Sequence, residues 1–110
     1  WNMSNVEDTS WMFGFTFFVT DAFNKPLDSW DVSNVKNMSY MFLNAWEFNQ
    51  SLNAWNVSSV EEMNAMFNGA RDFDKPLDSW DVSSVEEMNG MFSAAVAFKQ
   101  DISCWNVTLL

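Results

Sequence analysis

The chain has 110 residues with a formal net charge of −10, and it is 48% hydrophobic, with seven Trp, eleven Phe and eight Met. This aromatic content excludes a disordered acidic tail, and the single Cys excludes a disulfide-stapled domain. Because there is no His, we expect no metal site and no cofactor; because five basic residues are scattered among fifteen acids, we expect no nucleic-acid partner.

A 25-residue repeat runs through the chain, and each unit opens on a Trp. Three units align closely: WDVSNVKNMSYMF (30–42), WNVSSVEEMNAMF (55–67) and WDVSSVEEMNGMF (80–92). The first, WNMSNVEDTSWMF (1–13), fits the same frame with a spacing of 29 residues. A fixed period of this length is typical of stacked repeats. We expect one domain, 1–110, with units 1–29, 30–54, 55–79, 80–104 and a partial 105–110, and we expect it to be part of a longer array.

The first unit carries an apolar insertion between Phe13 and Phe23. An insertion confined to one repeat forms a loop, and such loops often bind partners. Terminal repeats also need apolar residues to cover the end of the core, so both roles stay open for this segment. The candidate partner-binding residues are Trp11, Phe15, Phe17, Phe18 and Val19.

The segment after each Trp has the pattern of an amphipathic helix. In the second unit the apolar stripe consists of Val35, Met38, Met41, Phe42 and Ala45. Capping boxes, with Ser followed by Glu three residues later, precede three of the four stripes; they are Ser4–Glu7, Ser58–Glu61 and Ser83–Glu86. We therefore expect one helix of roughly 10–12 residues in each unit, held in place by stacking.

The other half of each unit reads L-x-x-W-x-V and predicts a short strand. Trp and Val point to one face of this strand, and the Asp or Asn between them points to the other. The outward column is a candidate recognition face: Asn2, Asp31, Asn56, Asp81 and Asn106. A hydrogen-bonded ladder that keeps the face soluble is the structural alternative. A Ca²⁺ site is disfavoured because the repeat signature GGxGxDxUx is absent.

Strand, Ser-capped turn, helix and loop together predict an α/β repeat solenoid, with one short parallel strand and one short helix per unit of about 25 residues. The repeat resembles that of the BspA-like leucine-rich-repeat surface proteins, which are abundant among mycoplasma lipoproteins. The resemblance is carried by WDVSNVKNMSYMF (30–42) and FNQSL (48–52). It implies a leucine-rich-repeat-like right-handed coil and a role in adhesion or protein binding at the cell surface or outside the cell. An organellar or assembly-bound location stays open.

Five N-x-S/T sequons mark possible glycosylation sites. They lie at Asn2, Asn37, Asn49, Asn56 and Asn106. The repetition itself creates a sequon wherever W-N-V-S/T occurs, so their number is weak evidence for a secretory route.

No constellation of catalytic residues stands out from the repeat. The paired acids are explained by capping, and the chain has neither His nor a Gly-rich phosphate loop. No apolar run is long enough to span a membrane as a helix. We therefore expect a non-enzymatic protein-interaction or adhesion module that presents an acidic and polar strand face and an apolar loop. The alternative is a structural scaffold subunit, docked in a larger protein assembly through the aromatic insertion.

Overall fold

The computed structural model describes residues 3–14 and 23–105, and these residues form no helix. Their strand-like pairing consists of three isolated parallel bridges, which join Asp8 to Asn37, Asn37 to Glu62, and Glu62 to Glu87. The rest of the described chain consists of turns and irregular segments. The prediction of an α/β leucine-rich-repeat-like solenoid is therefore wrong. The chain is instead a compact molecule of successive turns, with extents of 33 × 32 × 21 Å.

Apolar residues three positions apart begin and end tight turns. The N–H of Val35 donates to the carbonyl of Val32 at 3.0 Å, and the N–H of Met41 donates to that of Met38 at 3.3 Å. In an α-helix each N–H would instead reach the carbonyl four residues back. The spacing that predicted a helix is therefore the spacing of turns whose first and last side chains both point into the core.

Backbone groups between these turns bond to the next unit. Met38 N–H donates to the Glu62 carbonyl at 2.8 Å, and Phe42 N–H donates to that of Met66 at 2.9 Å. Equivalent bonds join the first unit to the second and the third to the fourth, as in Thr9 to Asn37 and Met63 to Glu87. The pairing thus lies in the segment predicted to be helical. Within the described residues, the predicted W-x-V strands do not pair.

The Ser residues after each Trp stabilise local turns. Ser33 donates its N–H and hydroxyl to Asp31 Oδ1 at 3.1 and 2.6 Å, and Ser58 does the same to Asn56 Oδ1 at 3.1 and 2.7 Å. The described residues contain no helix for a capping box to begin. The boxes predicted at Ser4–Glu7, Ser58–Glu61 and Ser83–Glu86 are therefore wrong.

Two columns of Phe rings form the centre of the core. One contains Phe13, Phe42, Phe67 and Phe92, with successive centroids 5.6, 5.5 and 5.7 Å apart. The other contains Phe23, Phe48, Phe73 and Phe98, at 5.7, 6.0 and 6.0 Å. The predicted burial of the apolar stripe is confirmed, because the side chains of Val35, Met38, Met41, Phe42 and Ala45 are all buried.

The indole N–H groups of the Trp residues form hydrogen bonds between stacked segments that are distant in the sequence. Their rings are buried in the third and fourth units and at the start of the last. Each indole N–H donates to the carbonyl of the Leu three residues before the preceding repeat Trp; the pairs are Trp55 to Leu27 at 2.8 Å, Trp80 to Leu52 at 2.8 Å and Trp105 to Leu77 at 3.0 Å. These bonds satisfy a polar group that burial would otherwise leave unpaired.

Candidate protein-interaction surface

Three of the Asp and Asn residues that directly follow a repeat Trp are exposed: Asp31, Asn56 and Asp81. Each side-chain oxygen accepts hydrogen bonds from the Ser two residues later, as described above for Asp31 and Asn56, and Ser83 N–H donates to Asp81 at 3.0 Å. The other two members of the predicted column, Asn2 and Asn106, lie outside the described residues. These side chains thus have a local structural role, and they remain exposed to solvent.

Hydrogen bonds from Ser33 lower the pKa of the Asp31 carboxyl, first through the hydroxyl and then through the backbone N–H. Ser83 lowers the pKa of Asp81 in the same way. A hydrogen bond to the charged form favours ionisation. Both carboxylates are therefore negatively charged at neutral pH.

The highest density of negative charge lies beside the parallel bridges. Two neighbouring columns run across the units: Glu7, Lys36, Glu61 and Glu86 in one, and Asp8, Asn37, Glu62 and Glu87 in the other. The first column is aligned by backbone bonds in which Lys36 donates to Glu7, Glu61 to Lys36 and Glu86 to Glu61, at 2.7, 2.7 and 2.8 Å. We call the six acids of these columns the acidic ridge: Glu7, Asp8, Glu61, Glu62, Glu86 and Glu87.

In the third and fourth units both columns of the acidic ridge consist of Glu alone: Glu61, Glu62, Glu86 and Glu87. In the second unit Lys36 and Asn37 interrupt it, and Lys36 Nζ lies 3.7 Å from Glu7 Oε1. Adjacent bridge positions are about 4.8 Å apart. The Glu62 and Glu87 side chains are therefore close enough for one basic segment to contact both, and Glu61 is near enough to add to the repulsion on Glu62.

Crowding on the ridge changes the ionisation of Glu62. Its pKa is raised by desolvation first, and then by the charge of Glu87 and a hydrogen bond between the two carboxyl groups. Glu61 and Asp8 add smaller repulsive contributions. A cation placed beside Glu62 would therefore favour the charged form of its carboxyl group.

A second surface feature is a group of exposed aromatic side chains. The Trp11 ring, 44% exposed, stacks on Tyr40 with centroids 4.5 Å apart. On a neighbouring part of the repeat, the Arg71 guanidinium lies 4.7 Å from the ring centroid of Trp46. Tyr40, Trp46 and Arg71 were not predicted from the sequence as surface residues of interest. Tyr40 was recognisable, because it occupies the place of Trp11 in the repeat.

The predicted partner-binding loop is only partly described. Trp11 is exposed and adjoins Met12, which is 38% exposed. The other four members, Phe15, Phe17, Phe18 and Val19, lie outside the described residues. Whether the segment binds a partner or covers the core therefore stays a prediction.

The predicted glycosylation sites differ in their surroundings. Asn56 is exposed, whereas Asn37 and Asn49 are partly buried. The Oδ1 atoms of the latter two accept backbone N–H groups, from Ser39 at 2.9 Å and from Asp74 at 3.0 Å. Asn2 and Asn106 lie outside the described residues. Among the described sequons, Asn56 is the most accessible.

Metal sites and membrane spans were also considered within residues 3–14 and 23–105. These residues contain no group of three or more His, Cys, Asp or Glu side chains placed to hold a metal ion. They also contain no helix with the length and apolar character needed to cross a membrane.

Comparison with known proteins identifies one family. A family model described as "Mycoplasma protein of unknown function, DUF285" matches residues 14–110. No curated protein and no solved structure matches the chain.

Proposed function

The chain belongs to the DUF285 family of Mycoplasma proteins of unknown function, and we propose that it is a non-enzymatic protein-interaction or adhesion module that binds a basic protein segment. The observation that supports this most is the acidic ridge in the third and fourth units, where Glu61, Glu62, Glu86 and Glu87 lie in two adjacent columns joined by a backbone bridge.

The spacing of the ridge suits a partner with several Lys or Arg side chains. A single exposed ion pair contributes only about 0–1 kcal/mol, so useful affinity requires several pairs at once. The bridge between Glu62 and Glu87 fixes the backbone of these two residues relative to one another. Such preorganisation lowers the entropic cost of binding, and the negative field accelerates the encounter with a cation.

The likeness of the 30–42 segment to the repeats of BspA-like surface proteins supports a place at the cell surface. In this proposal the exposed polar column Asp31, Asn56 and Asp81 provides further hydrogen-bonding groups. The acidic surface would then meet basic proteins outside the cell.

A structural scaffold subunit is the second candidate function. It is favoured by the exposure of Trp11 and Met12, which immediately precede the apolar insertion. Exposed apolar side chains that are close together mark docking surfaces. Docking of this kind would depend little on salt, whereas binding through the ridge weakens as salt screens the charges.

The test of the ridge uses a short oligolysine peptide as the probe. We expect the variant Glu61→Gln, Glu62→Gln, Glu86→Gln and Glu87→Gln to bind the peptide about tenfold or more weakly, a loss of about 1.4 kcal/mol. Binding of the natural chain should also weaken when ionic strength rises to about 0.15 M or above. Both quantities can be measured by titration calorimetry.

The matched control removes four negative charges elsewhere: Asp28→Asn, Glu47→Gln, Asp72→Asn and Asp78→Asn. This control has the same net charge as the ridge variant, and we expect it to bind the peptide almost as the natural chain does. Thermal unfolding of both variants verifies that they are folded. An equal loss in both variants would show that net charge alone attracts the peptide, and the ridge would not be the site.

A further inference from the structure

Arg71 carries a positive charge that no acid of the described chain neutralises. Its side chain is exposed, and its guanidinium lies 4.7 Å from the ring centroid of Trp46. Among residues 3–14 and 23–105, no carboxylate forms an ion pair with Arg71, and no acceptor receives a hydrogen bond from its guanidinium. In a chain with a net charge of −10, a base left without an acid is unexpected.

Arg71 lies in the middle of the array, with described units on both sides. Trp46 occupies the equivalent place in the second unit, and Val96 occupies it in the fourth. Backbone hydrogen bonds align the three positions, because Asp72 N–H donates to the Trp46 carbonyl at 3.0 Å and Ala97 N–H donates to the Arg71 carbonyl at 3.2 Å. Both neighbours of Arg71 in this column are therefore described residues, and its exposure does not depend on a unit outside them.

The Trp46 ring restrains the guanidinium without using its hydrogen-bond donors. The quadrupole of an indole attracts a cation that lies over its face. A guanidinium keeps its N–H groups at its edges, where two of them can donate together to one carboxylate. Such restraint lowers the entropic cost of binding a ligand. The Trp46 ring is also 39% exposed, so an apolar group of the same ligand can contact it.

Two exposed acids restrict the charge of the ligand. Glu47 follows Trp46 in the chain, and Asp72 follows Arg71. Together with the net charge of the chain, these carboxylates repel an anion that carries many charges. The site therefore suits a single carboxylate better than a polyphosphate or a sulfated polymer. A Glu or Asp side chain next to an apolar residue of a protein supplies such a group.

We propose that Arg71 and Trp46 form a second contact site, which binds the carboxylate of a Glu or Asp side chain in a partner protein while an adjoining apolar side chain contacts the Trp46 ring. Arg and Trp are enriched among the residues that dominate the energy of protein interfaces. The site does not rest on the binding of a basic segment by the acidic ridge, because the two surfaces share no residue and attract opposite charges.

The probe for this site is a Leu-Glu-Leu peptide with an acetylated amino end and an amidated carboxyl end. NMR of the isotope-labelled chain follows the indole N–H of Trp46 and the Nε–H of Arg71. We expect both resonances to shift and to reach saturation as the peptide is added. The same peptide with Gln in place of Glu should bind about fivefold or more weakly. Equal affinity for the two peptides, or shifts that do not saturate up to the solubility limit, would overturn the proposal.

Two variants of equal net charge locate the bound carboxylate. Arg71→Gln removes the guanidinium, and we expect it to bind the Glu peptide about fivefold or more weakly. Lys99→Gln removes an exposed base of the fourth unit and should leave the affinity close to its natural value. Thermal unfolding verifies that both variants are folded. An equal loss in the two variants, or no loss in Arg71→Gln, would overturn the proposal.

Titration of Arg71→Gln with oligolysine keeps this site separate from the acidic ridge. Arg71 lies outside the ridge, so we expect the variant to bind oligolysine at least as tightly as the natural chain does. Loss of Glu-peptide binding with oligolysine binding retained supports the second site, whatever the ridge variant itself shows. Loss of both would contradict a site at Arg71 that is independent of the ridge.

Discussion

Gly69 and Gly90 both lie in the left-handed region of backbone space, with φ of 73° and 62°. They differ in the room available for a side chain. A Cβ at Gly69 would overlap the side-chain oxygen of Asn44 and lie 3.4 Å from its Cα, whereas at Gly90 the nearest atom would be 3.8 Å away. The two positions therefore separate backbone strain from steric overlap.

We expect Gly90→Ala to lower the free energy of unfolding by about 1 kcal/mol, the cost of a left-handed residue with a Cβ. Gly69→Ala should cost about 2–3 kcal/mol, because overpacking adds to the same backbone strain. Urea denaturation of the two variants measures both values. Equal losses would contradict the close approach of Asn44 to Gly69.

Equivalent residues share this left-handed backbone even when they are not Gly. Trp11, Tyr40, Ala65 and Gly90 occupy one place in successive units, with φ of 66°, 61°, 51° and 62°. Left-handed conformations are unusual for large side chains, so the bonds to neighbouring units must impose them. Only at Gly90 does the residue type itself favour this conformation, and it was predicted from the sequence at none of the four positions.

At the scale of the element, the apolar spacing was correct and the structure inferred from it was wrong. Val32, Val35, Met38 and Met41 follow one another at intervals of three, which suits a helix stripe and a series of inward-closing turns equally well. Whether the segment is a helix or a series of turns depends on which carbonyl accepts the Met38 N–H. That acceptor is Glu62, in the next unit, and a local pattern carries no information about it.

The bridged acids give the fold a characteristic dependence on pH. The pKa of Glu62 is raised in the folded chain, so its charged form opposes folding above that pKa. This opposition disappears as pH falls through the folded pKa towards the ordinary value of 4.5. We therefore expect Glu62→Gln to increase the unfolding free energy at pH 7, and the gain to vanish below pH 4.5. Urea denaturation across this pH range measures the effect.

Asp31→Asn is the control of opposite sign. The pKa of Asp31 is lowered from 3.8, so its carboxylate stabilises the fold above that value and loses this contribution as pH falls through the folded pKa. Asn in its place should slightly destabilise the chain at pH 7. A gain at pH 7 from both substitutions would indicate general relief of negative charge and would contradict the specific repulsion at Glu62.

For the molecule as a whole, the repeat was the part of the fold most readable from sequence. The 25-residue period identified the residues that stack on one another, and the burial of the apolar stripe followed from it. The Phe columns and the Trp–Leu hydrogen bonds repeat in the structure with the same period. Secondary structure was not readable in the same way, because the stabilising bonds join units rather than neighbours in the chain.

The candidate interaction surface was also predicted from the sequence only in part. The exposed positions of Asp31, Asn56 and Asp81 were identified from the repeat, although their Ser partners were assigned to helix caps. The acidic ridge was present in the sequence as paired acids. Its meaning was obscured because the pairs were explained by capping, and because their alignment across units depends on the parallel bridges.

The register between units aligns the two columns of the acidic ridge, and a disulfide tests it directly. Glu62 and Glu87 are bridge partners, so their Cα atoms should be about 4.8 Å apart, within the range that a disulfide spans. In a Cys104→Ser background, Glu62→Cys with Glu87→Cys should form an intramolecular disulfide on mild oxidation, whereas Asn37→Cys with Glu87→Cys, two units apart, should stay reduced. Mass spectrometry of the monomer distinguishes the two states. Free thiols in the first pair, or equal crosslinking of both pairs, would contradict the register.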